Sequence, residues 1–194
     1  YTLTVSDRYN CITLSFIEVI TQPDAIKIIS ADISDNNGYG VTCPGSADGS
    51  ITVVVQGGTP PLVLEWTGPA GFTSDQPSIS MLGAGEYMLT ISDAAGCILT
   101  ADYTLTAPEA LDISAVTADA SCPDTPDGDI DLTVSGGSGT LAFLWNDGAT
   151  VADRSDILSG DYSVDVTDVS GCTTTFEITV GVRGLDCLRI YEII

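Results

Sequence analysis

The sequence predicts an all-β protein assembled from tandem β-sandwich repeats, and three observations carry that expectation. The composition favours strands and tight turns, apolar residues alternate with period two, and one long segment recurs without a gap. Of the 27 acidic residues 21 are Asp, a poor helix former that stabilises Asx-turns, and they accompany 20 Gly and 9 Pro in a chain otherwise rich in Thr, Val, Ile and Ser. Hydrophobic residues make up 44 % of the 194 positions, too many for a disordered chain, and no apolar run approaches the roughly 20 residues a helical membrane span needs.

Residues 43–66 (CPGSADGSITVVVQGGTPPLVLEW) align on residues 122–145 (CPDTPDGDIDLTVSGGSGTLAFLW), with Cys, Pro, Asp-Gly, Ile, Val, Gly-Gly, Leu and Trp at equal offsets. A second block occurs three times, as YTLTVSDRYNC at 1–11, YMLTISDAAGC at 87–97 and YSVDVTDVSGC at 162–172. The expected organisation is therefore the C-terminal strands of one repeat at 1–28, full repeats at 29–108 and 109–184, and a lead-in to something else at 185–194. Pro23 and Pro108 stand at the hand-over points, where a fixed φ shortens and stiffens a junction.

Within a repeat the first strand after Asp-Gly turns Ile51, Val53 and Val55 inward, or Ile130, Leu132 and Val134 in the second copy. Gly57-Gly58 or Gly136-Gly137 then reverses the chain, and Leu62, Leu64 and Trp66, or Leu141, Phe143 and Trp145, form the next inward row. A later strand brings Tyr87, Leu89 and Ile91, or Tyr162, Val164 and Val166, to the same core, ending in tips at Asp93–Gly96 and Asp168–Gly171. About seven short strands in so few residues make a sandwich, and an Ig-like one fits: Trp66 and Trp145 fall on the central C strand. The turns before Tyr87 and Tyr162 resemble a tyrosine corner leading into strand F. The cysteines depart from the immunoglobulin pattern, because Cys43 and Cys122 fall in the A–B loop and Cys97 and Cys172 follow the F–G tip.

The order C-P-x3-D-G-S-I, V-x-G-G-T-P-P, Trp and A-G-E-Y-x-L-T-I-S-D-A-A-G-C resembles the SprB repeat, found in tandem in cell-surface adhesins of gliding Bacteroidota. Residues 43–97 and 122–172 carry the resemblance and residues 1–11 its last third; Pro60-Pro61 becomes Gly139-Thr140 in the second copy. Leu185–Ile190 resembles the lead-in to a type IX secretion C-terminal sorting domain. The resemblance implies an extracellular, cell-surface stalk segment, handled by the type IX secretion and gliding machinery, with extracellular polysaccharide bound through other regions. Carbohydrate-binding repeats and the spacer of a secreted enzyme are the alternatives.

Charge narrows the function further. The net charge of -22 repels phosphate backbones and anionic headgroups, so neither nucleic acid nor membrane insertion is expected. Without histidine, and with Lys27 the single lysine, the chain lacks Ser-His-Asp and Cys-His relays, His-ligated metals and P-loop chemistry. Asp48, Asp93, Asp127 and Asp168 are the candidate calcium ligands, but no D-x-[DN]-x-[DN]-G loop is present and turn capping accounts for all four. No catalytic residue, cofactor or metal is expected. Trp66 and Trp145 could stack on sugar only if exposed, and their Leu and Phe neighbours place them in the core.

A secreted chain with cysteines at recurring positions should be oxidised. Two pairings stand: within repeats, Cys43–Cys97 and Cys122–Cys172, or across junctions, Cys43–Cys172 and Cys122–Cys187. In an Ig-like sandwich the A–B loop and the F–G tip lie at opposite poles, about five residues of strand apart at roughly 3.3 Å each. Disulfides need Cα atoms within about 7 Å, so a head-to-tail stack favours the cross-junction scheme. It leaves Cys97 and Cys11 to partners further towards the N-terminus.

Overall fold

In the computed structural model, residues 1–9 and 13–184 are described. The first hairpin pairs β1 (Thr2–Ser6) with β2 (Thr13–Ile17), closed by the Glu18 amide donating to the Tyr1 carbonyl at 3.0 Å. Two sandwiches follow, both built wholly from antiparallel ladders between their strands.

The first sandwich comprises β3 (Lys27–Ile33), β4 (Gly49–Gln56), β5 (Val63–Thr67), β6 (Thr73–Ser74), β7 (Ser78–Leu82), β8 (Gly85–Ser92) and β9 (Ile98–Leu105). Its sheets run β3-β4-β7 and β6-β5-β8-β9. In Ig-like lettering these are A-B-E and C′-C-F-G, the two-sheet Greek-key arrangement of an Ig-like sandwich. The second comprises β10 (Asp112–Ala118), β11 (Gly128–Ser135), β12 (Ala142–Trp145), β13 (Arg154–Ile157), β14 (Gly160–Thr167) and β15 (Thr173–Val180), in sheets β10-β11-β13 and β12-β14-β15. The topology repeats with six strands instead of seven, since no counterpart of β6 forms. The chain is thus all-β, with tandem Ig-like sandwiches.

Alternation sets both cores. Ile51, Val53, Trp66, Tyr87, Leu89 and Ile91 are buried in the first, and Ile130, Leu132, Trp145, Val164 and Val166 occupy the corresponding places in the second. Each indole is fully sequestered, with Nε1 donating to a backbone carbonyl: Trp66 to Gln76 at 2.9 Å and Trp145 to Val151 at 2.8 Å. Both tyrosine corners form, the hydroxyl of Tyr87 donating to the Gly83 carbonyl at 3.0 Å and that of Tyr162 to Leu158 at 2.9 Å. Tyr87 is buried, whereas Tyr162 is half-buried at the core edge, meeting Trp145 edge-on at 6.4 Å.

Strand β3 starts ahead of the expected boundary at residue 29. Ile26 belongs to the buried core and Ile28 packs against it, while the Asp24 carbonyl accepts the Gly58 amide at 2.8 Å. Apolar side chains just after Pro23 are drawn into the first sandwich because its B–C turn leaves a slot for them. The segment expected at 185–194 lies outside the described residues, as do Cys11 and Cys187.

Candidate functional site: the joint between the sandwiches

The Asp-rich F–G tips are the first component. In the first sandwich Asp93 Oδ1 accepts the amides of Ala95 and Cys97 at 2.9 and 2.8 Å, and Oδ2 accepts the Thr59 amide at 2.9 Å. In the second, Asp168 Oδ1 accepts the amides of Ser170 and Cys172, both at 2.9 Å, and Oδ2 accepts the Ser138 amide and hydroxyl, also at 2.9 Å. One carboxylate thereby shapes the tip, presents the following cysteine and ties the tip to the B–C turn. Amides of Thr59 and Cys97 hold the Asp93 carboxyl below its ordinary range. Burial raises that of Asp168, but the donors from Cys172, Ser138 and Ser170 outweigh it and the net shift is downward.

The A–B loops are the second component. Asp48 accepts the hydroxyl and the amide of Thr42, and Asp127 accepts the amide of Ser121 at 2.7 Å, which fixes the segment that leads into Cys43 or Cys122. The Thr42 hydroxyl, then its amide, lowers the Asp48 carboxyl; the Ser121 amide does the same for Asp127, with Arg183 adding to it. Ahead of each cysteine the chain runs alongside the end of strand G, with Val41 N donating to Thr106 O at 3.1 Å and Ala120 N to Gly181 O at 3.0 Å. These four carboxylates are engaged as acceptors in turns, and no cluster that could hold a metal ion occurs among the described residues.

The two components meet between the sandwiches. Cys43, in the A–B loop of the first, is bonded to Cys172, at the F–G tip of the second, with S–S 2.07 Å and Cα–Cα 5.6 Å. Cys97 is exposed and Cys122 half-buried, and neither has a disulfide partner among the described residues. Beside the disulfide, Asn37 Nδ2 donates to Ser170 Oγ at 3.1 Å, and Ser170 Oγ pairs with Ser138 Oγ at 2.7 Å. The buried pair Ser138 and Asp168 anchors this chain of polar groups. At the other F–G tip Ala95 replaces Ser170, which leaves Thr59 Oγ1 buried without a partner among the described residues.

Asn37 was not expected in the joint. Asp24 and Glu109 make the same bond to the glycine turn and stand 85 positions apart, while Val41 and Ala120 make the same bond to strand G 79 apart. The first repeat therefore carries six extra residues between these points, one in a bulge of β3 between Ile28 and Ser30 and five in its A–B connection. The latter hold a small hairpin in which Asn36 pairs with Tyr39 across Asn37 and Gly38, both at positive φ (55° and 90°). Asn-Gly between pairing residues is a strong turn signal, and the length mismatch between repeats marks the insertion in sequence.

Residues 41–71 and 114–150 match the family model of the SprB repeat, one segment in each sandwich. No curated protein matches the chain. Among solved structures, the chain is similar to one described as the structural basis for Dscam isoform specificity, at 13 % identity and a TM-score of 0.34, covering 94 % of this chain and 54 % of that one. It is similar too to the N-terminal four Ig domains of Dscam1 isoform 6.9, at 12 % identity and a TM-score of 0.33, covering 94 % and 53 %. The chain spans about half the length of these neighbours. The sheet order defines the class, tandem Ig-like sandwiches, and each sandwich contains a segment similar to the SprB repeat.

Proposed function

We propose that the chain is a non-enzymatic stalk segment of a secreted cell-surface adhesin, linking the cell envelope to a distal adhesive region in gliding motility. The observation that supports this most is the doubly tethered joint. The peptide between Leu105 and Asp112 and the Cys43–Cys172 disulfide connect the sandwiches at separate points, which opposes the hinge motion expected of domains joined by one linker. SprB-type repeats support an extracellular surface location, and a disulfide fits an oxidising compartment. The type IX secretion and gliding machinery would then be the partners, with extracellular polysaccharide bound by other regions. The burial of both indoles argues against these repeats gripping sugar themselves, since neither ring face is open for stacking.

Small-angle scattering on the oxidised chain and on the Cys43→Ser/Cys172→Ser variant tests the stalk reading. The oxidised chain should give one narrow distribution of inter-repeat distances and the variant a broader one. Equal distributions would remove the case for a stiffened joint. A glycan array probed with the intact chain should stay blank, and reproducible binding would move the reading to a carbohydrate-binding protein.

A further inference from the structure

The joint shows what an F–G pole accepts, and the same pole on the first sandwich is open. At the joint a groove runs along Glu109, Ala110, Leu111 and the Gly171–Thr174 edge, and Cys43 and Pro44 of the preceding repeat form its other wall. On the first sandwich a groove of the same build is lined by Asp24, Ala25, Ile26, Cys97, Ile98 and Leu99, residues that correspond one for one. Asp93 presents the Cys97 amide as Asp168 presents that of Cys172. Here, however, the cysteine is exposed where Cys172 is bonded and half-buried, no A–B loop walls the groove, and an apolar Ile98, 68 % exposed, takes the place of the exposed polar Thr173.

We propose that the Cys97 groove is a docking site for the Cys-Pro A–B loop of another SprB-type repeat, which bonds Cys97 as Cys43 bonds Cys172. This rests on the stalk reading and adds to it the surface and the chemistry by which one more repeat is held. The proline and the flanking loop form the missing wall of the apolar groove, as Pro44 does at the joint, and the thiol falls beside Cys97. Bond formation is thiol–disulfide exchange with a small disulfide oxidant. One thiol first forms a mixed disulfide, releasing one reduced oxidant thiol. The second thiolate then attacks it, and the second oxidant thiol leaves. Two protein thiols lose two electrons in all, and the oxidant gains them.

The chain supplies both halves of the test, because Cys122 and Pro123 form the matching loop of the second repeat. An acceptor chain keeps Cys97 and carries Cys11→Ser, Cys122→Ser and Cys187→Ser; a donor keeps Cys122 and carries Cys11→Ser, Cys97→Ser and Cys187→Ser. The Cys43–Cys172 bond stays in both. Mixed in glutathione redox buffer, they should yield the Cys97–Cys122 heterodimer in about tenfold excess over either homodimer, the ratio that ~1.4 kcal/mol of docking selectivity gives. Ile98→Asp in the acceptor, an exposed position outside the core, should abolish the excess while leaving the circular dichroism unchanged. Random statistical pairing, or an excess that survives Ile98→Asp, would overturn the docking site. Either failure would leave the scattering result on the Cys43–Cys172 joint standing, so the two readings are separable.

Discussion

Trp66 and Trp145 each fill the centre of one sandwich, and both owe their place to a residue pattern rather than to any one contact. Alternation points the indole inward, Leu64 in the first sandwich or Leu141 and Phe143 in the second pack against the same core, and a backbone carbonyl before strand E accepts the Nε1 hydrogen bond. Truncation to Ala leaves a large cavity and an orphaned carbonyl, so each substitution should cost about 3–5 kcal/mol in urea unfolding. An unchanged midpoint would mean that the ring contributes nothing to packing. Asp168 offers a second residue-scale test. Its carboxyl is held below its unfolded value, so the stability it gives is present above roughly pH 4 and is lost as pH falls through the native pKa. Asp168→Asn, which cannot accept all four hydrogen bonds with a charged group, should cost about 1–3 kcal/mol at pH 7. The gap between wild type and variant should close towards pH 2. A pH-independent gap would assign the effect to shape alone. The burial of the indoles and the turn role of the four aspartates were legible from spacing. The polar chain from Asn37 through Ser170 to Asp168 was not, because its members become neighbours only when two repeats meet.

At the scale of elements, the same strand pair behaves differently according to what covers it. Tyr1, Leu3 and Val5 occupy in β1 the places of Tyr87, Leu89 and Ile91 in β8, yet they are 87, 62 and 51 % exposed where their counterparts are buried. No second sheet lies against the hairpin among the described residues, and an uncovered two-stranded ribbon is marginal in water. Limited proteolysis of the intact chain should therefore cut first before residue 24, leaving a resistant core that begins near Asp24 and includes β3 through β15. Protection of residues 1–20 in a monomer would contradict this, whereas protection that appears only with rising protein concentration would show a neighbouring molecule covering the row. Strand identity, inward rows and both tyrosine corners were readable from period two and from the Gly-containing turns that follow Leu82 and Leu158 and lead into Tyr87 and Tyr162. The repeat boundary at residue 29 falls inside β3 because Ile26 and Ile28 lie between the repeated segments and not within one, and only the slot beside Gly58 shows that they join the core. Similarly, the missing counterpart of β6 reflects a shorter C-to-E connection in the second repeat, stapled instead by Arg154 across Asp147 at 2.6 and 3.0 Å and over the Trp145 ring at 5.3 Å.

On the whole molecule, two long-range features act in opposite directions. The Cys43–Cys172 bond spans 129 residues of sequence and limits the unfolded ensemble, which stabilises the folded pair by a few kcal/mol. The net charge of -22 works against compactness at every pH where the carboxylates are ionised. Among the described residues only two ion pairs offset it: Arg154 with Asp147 at 2.6 Å, and the exposed Arg183 with Asp127 at 3.4 Å. Exposed pairs of the second kind are worth about 0–1 kcal/mol, too little to balance so large an excess of like charge. Raising ionic strength from about 0.01 to 0.15 M shortens the Debye length from roughly 30 to 8 Å, which screens repulsion between distant carboxylates more than it weakens a bidentate contact. Thermal unfolding at pH 7 should accordingly shift upward with salt. Each kcal/mol gained in a sandwich of this size is worth about 4–8 °C. Sodium chloride and tetramethylammonium chloride should act alike if screening is the cause. A midpoint that falls with salt would mean that the two ion pairs outweigh the repulsion, and a rise confined to calcium would point instead to bound cations at the Asp-rich loops.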